Sequence, residues 1–287
     1  MSQSIGEKTV GDRASDRPLA RKRILVCGKG GSGKSSIVAL MAGALREKGY
    51  EVLALDGDAS NPGGLARLLF GLKRNPKSLI DFFGGRKKVE CPVDNPAPLT
   101  RKDDALPITE RNIDLDEVPS EYYFQKEGIV LLQVGKIQEA CEGCHGPMSK
   151  ISRDFIVQGE QVTLIDVEAG IEHFGRGVEK NVDIVLTIVD PTFESFSIAE
   201  KVVNLSRALG TEKVWTILNR VQSGEMESIM LGELKERKAE TLGVVHYDAD
   251  IVKAGLTGTS LGKSKALEDI KTIIERLEEA VLGNLQK

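Results

Sequence analysis

No run of apolar residues in this chain approaches the roughly 18–20 needed to cross a membrane. No secretory leader is expected at the N-terminus either. Residues 1–22 (MSQSIGEKTVGDRASDRPLARK) have no apolar core, and Glu7, Asp12 and Asp16 do not suit an acid-poor transit peptide. A polar, disordered N-terminal tail and a cytoplasmic location are the expectations. Surplus positive charge is also absent. Lys and Arg number 39 against 43 Asp and Glu, so net charge is −4 and nothing global favours nucleic acid as a partner. Cysteines are only four, and in a reducing compartment they read as buried thiols or metal ligands before structural disulfides.

What is present is alternation. Apolar, β-rich runs at 23–27, 51–56, 129–134, 161–166, 183–190, 213–219 and 242–247 predict strands. Amphipathic stretches near 34–48, 194–209, 225–240 and 264–284 predict helices. Several strands are nearly continuous in Val, Ile and Leu, as strands covered on both faces should be. The expected fold is a single α/β domain over 23–287, a doubly wound, mostly parallel sheet with helices on both faces. In the last helix Ile270, Ile273, Ile274, Leu277 and Val281 share one face. Its polar side is as acidic as basic, which favours a sheet-covering helix over a membrane surface and gives no stable membrane association. Residues 71–128 break the rhythm with six of the ten prolines and no clean strand, and predict a long irregular insertion. Cys91 within it reads as an ordinary thiol, and Cys27, ending the first strand, as a buried small hydrophobe.

The most specific motif is Gly28-Lys29-Gly30-Gly31-Ser32-Gly33-Lys34-Ser35, a match to G-x-x-x-x-G-K-[ST] between a predicted strand and a predicted helix. Such a loop turns successive backbone N–H groups inward onto phosphate oxygens, aided by the helix N-terminus. Lys34 suits the β- and γ-phosphates and Ser35 the Mg²⁺ shell, with Ser36 following in the same turn. A second constellation is Cys141-Glu142-Gly143-Cys144-His145. This spacing serves haem attachment, zinc, a shared iron–sulfur cluster or a redox dithiol, and the reducing compartment argues against haem. His145 is a candidate further ligand, though an ordinary polar role is the simpler one.

The extra lysine, Lys29 in KGGSGKS, resembles the deviant Walker A signature of the MinD, ParA and nitrogenase iron-protein class of ATPases. The resemblance implies ATP or ADP as nucleotide and a homodimer in which Lys29 reaches the partner's phosphates. Lys29 and Lys34 would then stabilise charge during phosphoryl transfer. It implies that Asp58, in D-G-D at 56–58, orients the attacking water, with Asp56 near the Mg²⁺ shell. Asp166 would be the Walker B carboxylate, Ser35, Asp58 and Asp166 together forming the Mg²⁺ shell. Asn219 with Arg220 would read adenine, and His246, Tyr247 and Asp248 would lie in the loop covering the base.

IDVEAGIEHFGRG (165–177), with Gly135-Lys136 and the cysteine pair upstream, is similar to the CooC-type carbon monoxide dehydrogenase maturation ATPases. This resemblance implies nickel insertion into a client metalloenzyme, with Cys141 and Cys144 of two subunits sharing one Ni²⁺ or Zn²⁺. That family carries C-x-C, whereas this chain has C-x-x-C, so the bite of the ligand pair differs. Nitrogenase-type iron proteins offer the alternative of an interface [4Fe–4S] cluster, but their cysteine seven residues after the Walker B aspartate is His173 here. A partition or positioning ATPase is the third reading.

Overall fold

The side-chain pattern of a strand buried on both faces is met four times in succession at the centre of the molecule. The protein, described from a computed structural model over residues 17–100, 112–137, 145–262 and 264–283, is built on one eight-stranded sheet. Its strands are β1 (Arg23–Gly28), β2 (Val52–Asp56), β3 (Tyr123–Lys126), β4 (Ile129–Gln133), β5 (Val162–Asp166), β6 (Ile184–Val189), β7 (Val214–Val221) and β8 (Thr241–His246). The spatial order is β3-β4-β2-β5-β1-β6-β7-β8. Every neighbouring pair is parallel except β3 with β4. β1, β2, β5 and β6 are buried at every position, which is why they read as unbroken apolar runs.

The helices are α1 (Lys34–Glu47), α2 (Gly64–Phe70), α3 (Leu79–Phe82), α4 (Gly146–Asp154), α5 (Glu172–Gly175), α6 (Phe193–Ala208), α7 (Gly224–Glu236), α8 (Ala249–Thr257) and α9 (Lys265–Val281). One apolar cluster on one face of the sheet takes in α1, α9 and the buried end of α2; a second takes in α3, α4, α6 and α7. Ile270, Ile273, Ile274 and Leu277 of α9 are all at most 1% exposed, so that face covers the sheet. Among the described residues no helix is long and apolar enough to cross a membrane.

Two boundaries differ from the sequence reading. Residues 17–22, assigned by composition to the tail, pack against the domain because Leu19 is fully buried in the α1–α9 cluster. The stretch 71–128 is not wholly irregular either. It contains α3 and β3, and β3 turns into β4 through Glu127 and Gly128, both at positive φ (51° and 76°), the geometry of a tight hairpin. Gln125 and Lys126 conceal this strand in the sequence, since an edge strand need not be apolar on its open side.

Parallel register places the C-terminal ends of the central strands side by side. Asp56 pairs with Asp166 across β2–β5, Val26 with Asp166 across β1–β5, and Gly28 with Ile188 across β1–β6. Ligands of open α/β sheets bind in the crevice outside these ends. The predicted phosphate loop and the aspartates that follow β2 and end β5 lie there.

Candidate nucleotide site

The loop Gly28–Gly33 leaves β1 and enters α1 at Lys34. Its conformation requires glycine at two points. Gly28 takes φ of 139°, where a Cβ would lie 2.5 Å from the Ile188 carbonyl oxygen, and Gly33 takes φ of 98° against the Asn219 amide. The first turn of α1 has no acidic residue and no side-chain cap. Its N–H groups and its positive end therefore face a cleft of about 510 Å³ without a competing carboxylate. Gly31, Gly33, Lys34, Ser35, Ser36, Asp58 and Arg220 line this cleft. So do Asn61, Arg67, Ala254 and Gly255, none of which the sequence singled out.

Lys34 is 6% exposed, with its ammonium folded back on the Lys29 carbonyl at 3.3 Å. Asp166, at the end of β5, is completely buried, and neither carboxylate oxygen has a hydrogen-bonding partner among the described residues. Burial, then the charge of Asp56, pushes its pKa up to about 7, against the pull of the nearby Ser35 hydroxyl and the Lys34 ammonium. A buried carboxylate without a partner, next to a hydroxyl and a phosphate-binding loop, is an oxygen-donor set with an unmet need for a cation. Ser35 and Asp166 fit Mg²⁺ on that ground.

Asp56 is placed differently. Its Oδ1 accepts from the Lys136 ammonium at 2.8 Å and its Oδ2 from the Leu65 N–H at 3.2 Å. Burial holds its pKa above the ordinary carboxylate value in spite of Lys136. Asp58 faces the cleft, with Oδ1 held by the Ser60 N–H (2.9 Å) and hydroxyl (2.6 Å). The segments after β2 and β5 are tied to each other and to the loop. Gly57 N–H donates to the Asp166 carbonyl (2.8 Å), and Gly170 N–H to the Gly28 carbonyl (3.1 Å).

Lys29 does not point freely outward. It donates to Thr192 Oγ1 at 3.0 Å and lies 3.4 Å from Asp190 Oδ2, just beyond β6. Asn219 is also engaged: its Nδ2 donates to the Ser32 carbonyl at 2.7 Å, and it does not line the cleft. Arg220 does, through a left-handed backbone (φ 62°) at a bulge between β7 and β8. His246 Nδ1 and N–H lie 2.9 Å from the same Asp269 oxygen, and Asp248 caps α8, so neither is free to move alone. Cys141 and Cys144 lie outside the described residues. His173 is 4% exposed, and burial lowers its pKa to about 3, so it is neutral. Cys27 is buried with its sulfur 3.7 Å from Thr187 Oγ1.

Sequence reasoning passed over Lys136, Asp190, Thr192 and the contact between His145 and Glu168 as working parts. Asp190 had a visible signal, a carboxylate ending an unbroken apolar strand. The others depend on long-range packing and had none.

A phosphate loop opening a helix, with a buried unpartnered carboxylate beside its serine, defines a P-loop ATPase. The chain belongs to the CobQ/CobB/MinD/ParA nucleotide-binding family, whose domain model matches residues 24–261. It is 38% identical to an uncharacterized ATP-binding protein of Methanocaldococcus jannaschii, covering 89% of this chain and 99% of that one. It is 30% identical to the carbon monoxide dehydrogenase accessory protein CooC of Rhodospirillum rubrum, over 83% of this chain and 88% of that one. The septum site-determining protein MinD of Pyrococcus horikoshii, solved with Mg-ADP, superposes with a TM-score of 0.62 over 93% of this chain and 99% of that one. At 16% identity that likeness is one of fold.

Proposed function

We propose that the protein is a Mg²⁺-dependent ATPase that closes as a homodimer around ATP and uses hydrolysis to deliver a metal ion, nickel foremost, to a client metalloenzyme such as a carbon monoxide dehydrogenase. The observation that carries the delivery half is the Cys141-x-x-Cys144 pair in a chain 30% identical to a carbon monoxide dehydrogenase accessory protein. Two thiolates do not fill a four-coordinate shell, so a twofold partner supplies the remainder.

The chemistry follows from the cleft. Lys34 leaves the Lys29 carbonyl for the β- and γ-phosphates, and the N–H groups of 30–35 hold the remaining oxygens. Mg²⁺, when bound by Ser35 and Asp166, draws charge from the phosphate oxygens. Asp58, fixed by Ser60, orients the attacking water. Lys29 exchanges Asp190 and Thr192 for the phosphates of the partner's nucleotide. Arg220 and α8 face the base.

Anaerobic purification followed by metal and sulfide analysis tests this reading. The expected result is one nickel or zinc per dimer without sulfide, lost in Cys141→Ser/Cys144→Ser. About four iron and four sulfide per dimer would replace it with ATP-gated electron transfer. No bound metal at all would favour a positioning role, which the 26% identity to a MinD of Thermotoga maritima supports.

A further inference from the structure

α4 is buried along most of its length, and one of its enclosed residues is a lysine. Lys150 is 4% exposed, and its one hydrogen bond among the described residues goes to the Asn95 carbonyl at 3.1 Å. An ammonium has three donors, so two are left unused. The two carboxylates that act on it electrostatically, Asp154 and Glu90, are committed elsewhere. Asp154 accepts from Arg153 Nε at 2.6 Å and Nη2 at 2.8 Å, and from the Leu99 N–H at 2.8 Å. Glu90 accepts from Asn95 Nδ2 at 2.6 Å. Arg153 therefore cancels Asp154, and Lys150 has no counter-charge of its own among the described residues. Burial lowers its pKa, with Asp154 and Glu90 opposing. A charge taken out of water is normally paired, because leaving it alone is costly.

Lys150 borders a cavity of about 320 Å³. The floor is Lys150 with Phe83, Val89 and Leu99, each at most 5% exposed, while Lys88 and Glu90 stand exposed at the rim. None of these residues lines the nucleotide cleft. The volume is at the small end for a small-molecule site, and an apolar floor with a single placed charge is the usual make-up of one. We propose that this cavity binds a small organic carboxylate, its apolar body on Phe83, Val89 and Leu99 and its carboxylate on the Lys150 ammonium. One uncompensated positive charge matches a monoanion, and the two unused donors match its two oxygens. A phosphate dianion would bring a second charge into the floor with nothing to meet it. The site stands apart from the metal-delivery reading, which could fail without affecting it.

Three probes test the site on the full chain by isothermal titration. Benzoate has both the charge and the apolar body, benzamide keeps the shape without the charge, and acetate keeps the charge without the body. Benzoate should bind once per chain, about tenfold or more tighter than either of the others. Lys150→Met keeps the stem and removes the ammonium. It should weaken benzoate by about tenfold while ADP affinity stays at the wild-type value, which also shows that the variant is folded. A second measurement needs no variant. Benzoate at several times its Kd should slow amine labelling of Lys150 by about fivefold, read by mass spectrometry, and leave Lys235, exposed on α7, unchanged. No benzoate binding, benzamide or acetate binding as tightly as benzoate, or labelling of Lys150 indifferent to benzoate would each overturn the proposal. So would undiminished benzoate binding in a Lys150→Met protein that still binds ADP.

Discussion

Asp166 is an electrostatic liability in the cleft. Its carboxylate is buried without a hydrogen-bonding partner among the described residues and shares the neighbourhood with Asp56 and Asp58. Its folded pKa, about 7, stands above the unfolded value near 3.8. The protonated form is therefore the one the fold tolerates. This group's favourable contribution is complete below about pH 4 and is lost as pH rises towards 7 and beyond. Asp166→Asn should accordingly raise the melting temperature of the nucleotide-free protein at pH 8 by several degrees and flatten its decline between about pH 4 and 7, while abolishing turnover. Thermal melts across that pH range decide the matter; an unchanged slope would mean that Asp166 is not the strained group. The pKa of Asp56 is raised by burial as well, but Asp56 has partners: the Lys136 ammonium and the Leu65 N–H use both of its carboxylate oxygens. The sequence displayed all three aspartates, but not which of them Lys136 engages, because Lys136 arrives from 80 residues away.

At the scale of elements, packing follows the apolar periodicity closely. α9 offered one apolar face in the sequence, and that face is buried against β8 and α1. Its closeness depends on Gly243 in β8, where an added Cβ would lie 2.5 Å from Ile273 Cγ1. Gly243→Ala should destabilise the fold by about 1–3 kcal/mol through overpacking, seen as a lower urea midpoint, with nucleotide affinity of the folded protein unaltered. The seven strands of the parallel sheet were legible because burial on both faces forces continuous Val, Ile and Leu. β3 was not, since an edge strand with Gln125 and Lys126 gives no such signal. The short helices α2 to α5 were equally hidden. Spans of four to nine residues give periodicity too few turns to register, and tertiary contacts hold these helices in place.

For the whole molecule, the phosphate loop was readable in full, because phosphate recognition constrains residue type and spacing together. The proposed role for a second subunit rests, in the sequence, on Lys29. In this chain Lys29 rests on Asp190 and Thr192, so under the proposed dimer its transfer to a partner would be an exchange of ion pairs. Lys29→Ala should keep ADP affinity near wild type while lowering kcat about 10³-fold or more, as loss of a charge supplied across an interface does. Lys34→Ala should be inactive because its own cleft no longer holds the phosphates. The most direct test of the proposed dimeric ATPase is to mix these two inactive variants in equal amounts and measure ATP hydrolysis. In a mixed dimer the Lys29→Ala subunit keeps its own Lys34 and receives Lys29 from its partner. Half the dimers would then have one working site of two, so activity should recover to about a quarter of wild type. A mixture no more active than its separate components would contradict the account and return Lys29 to its own subunit.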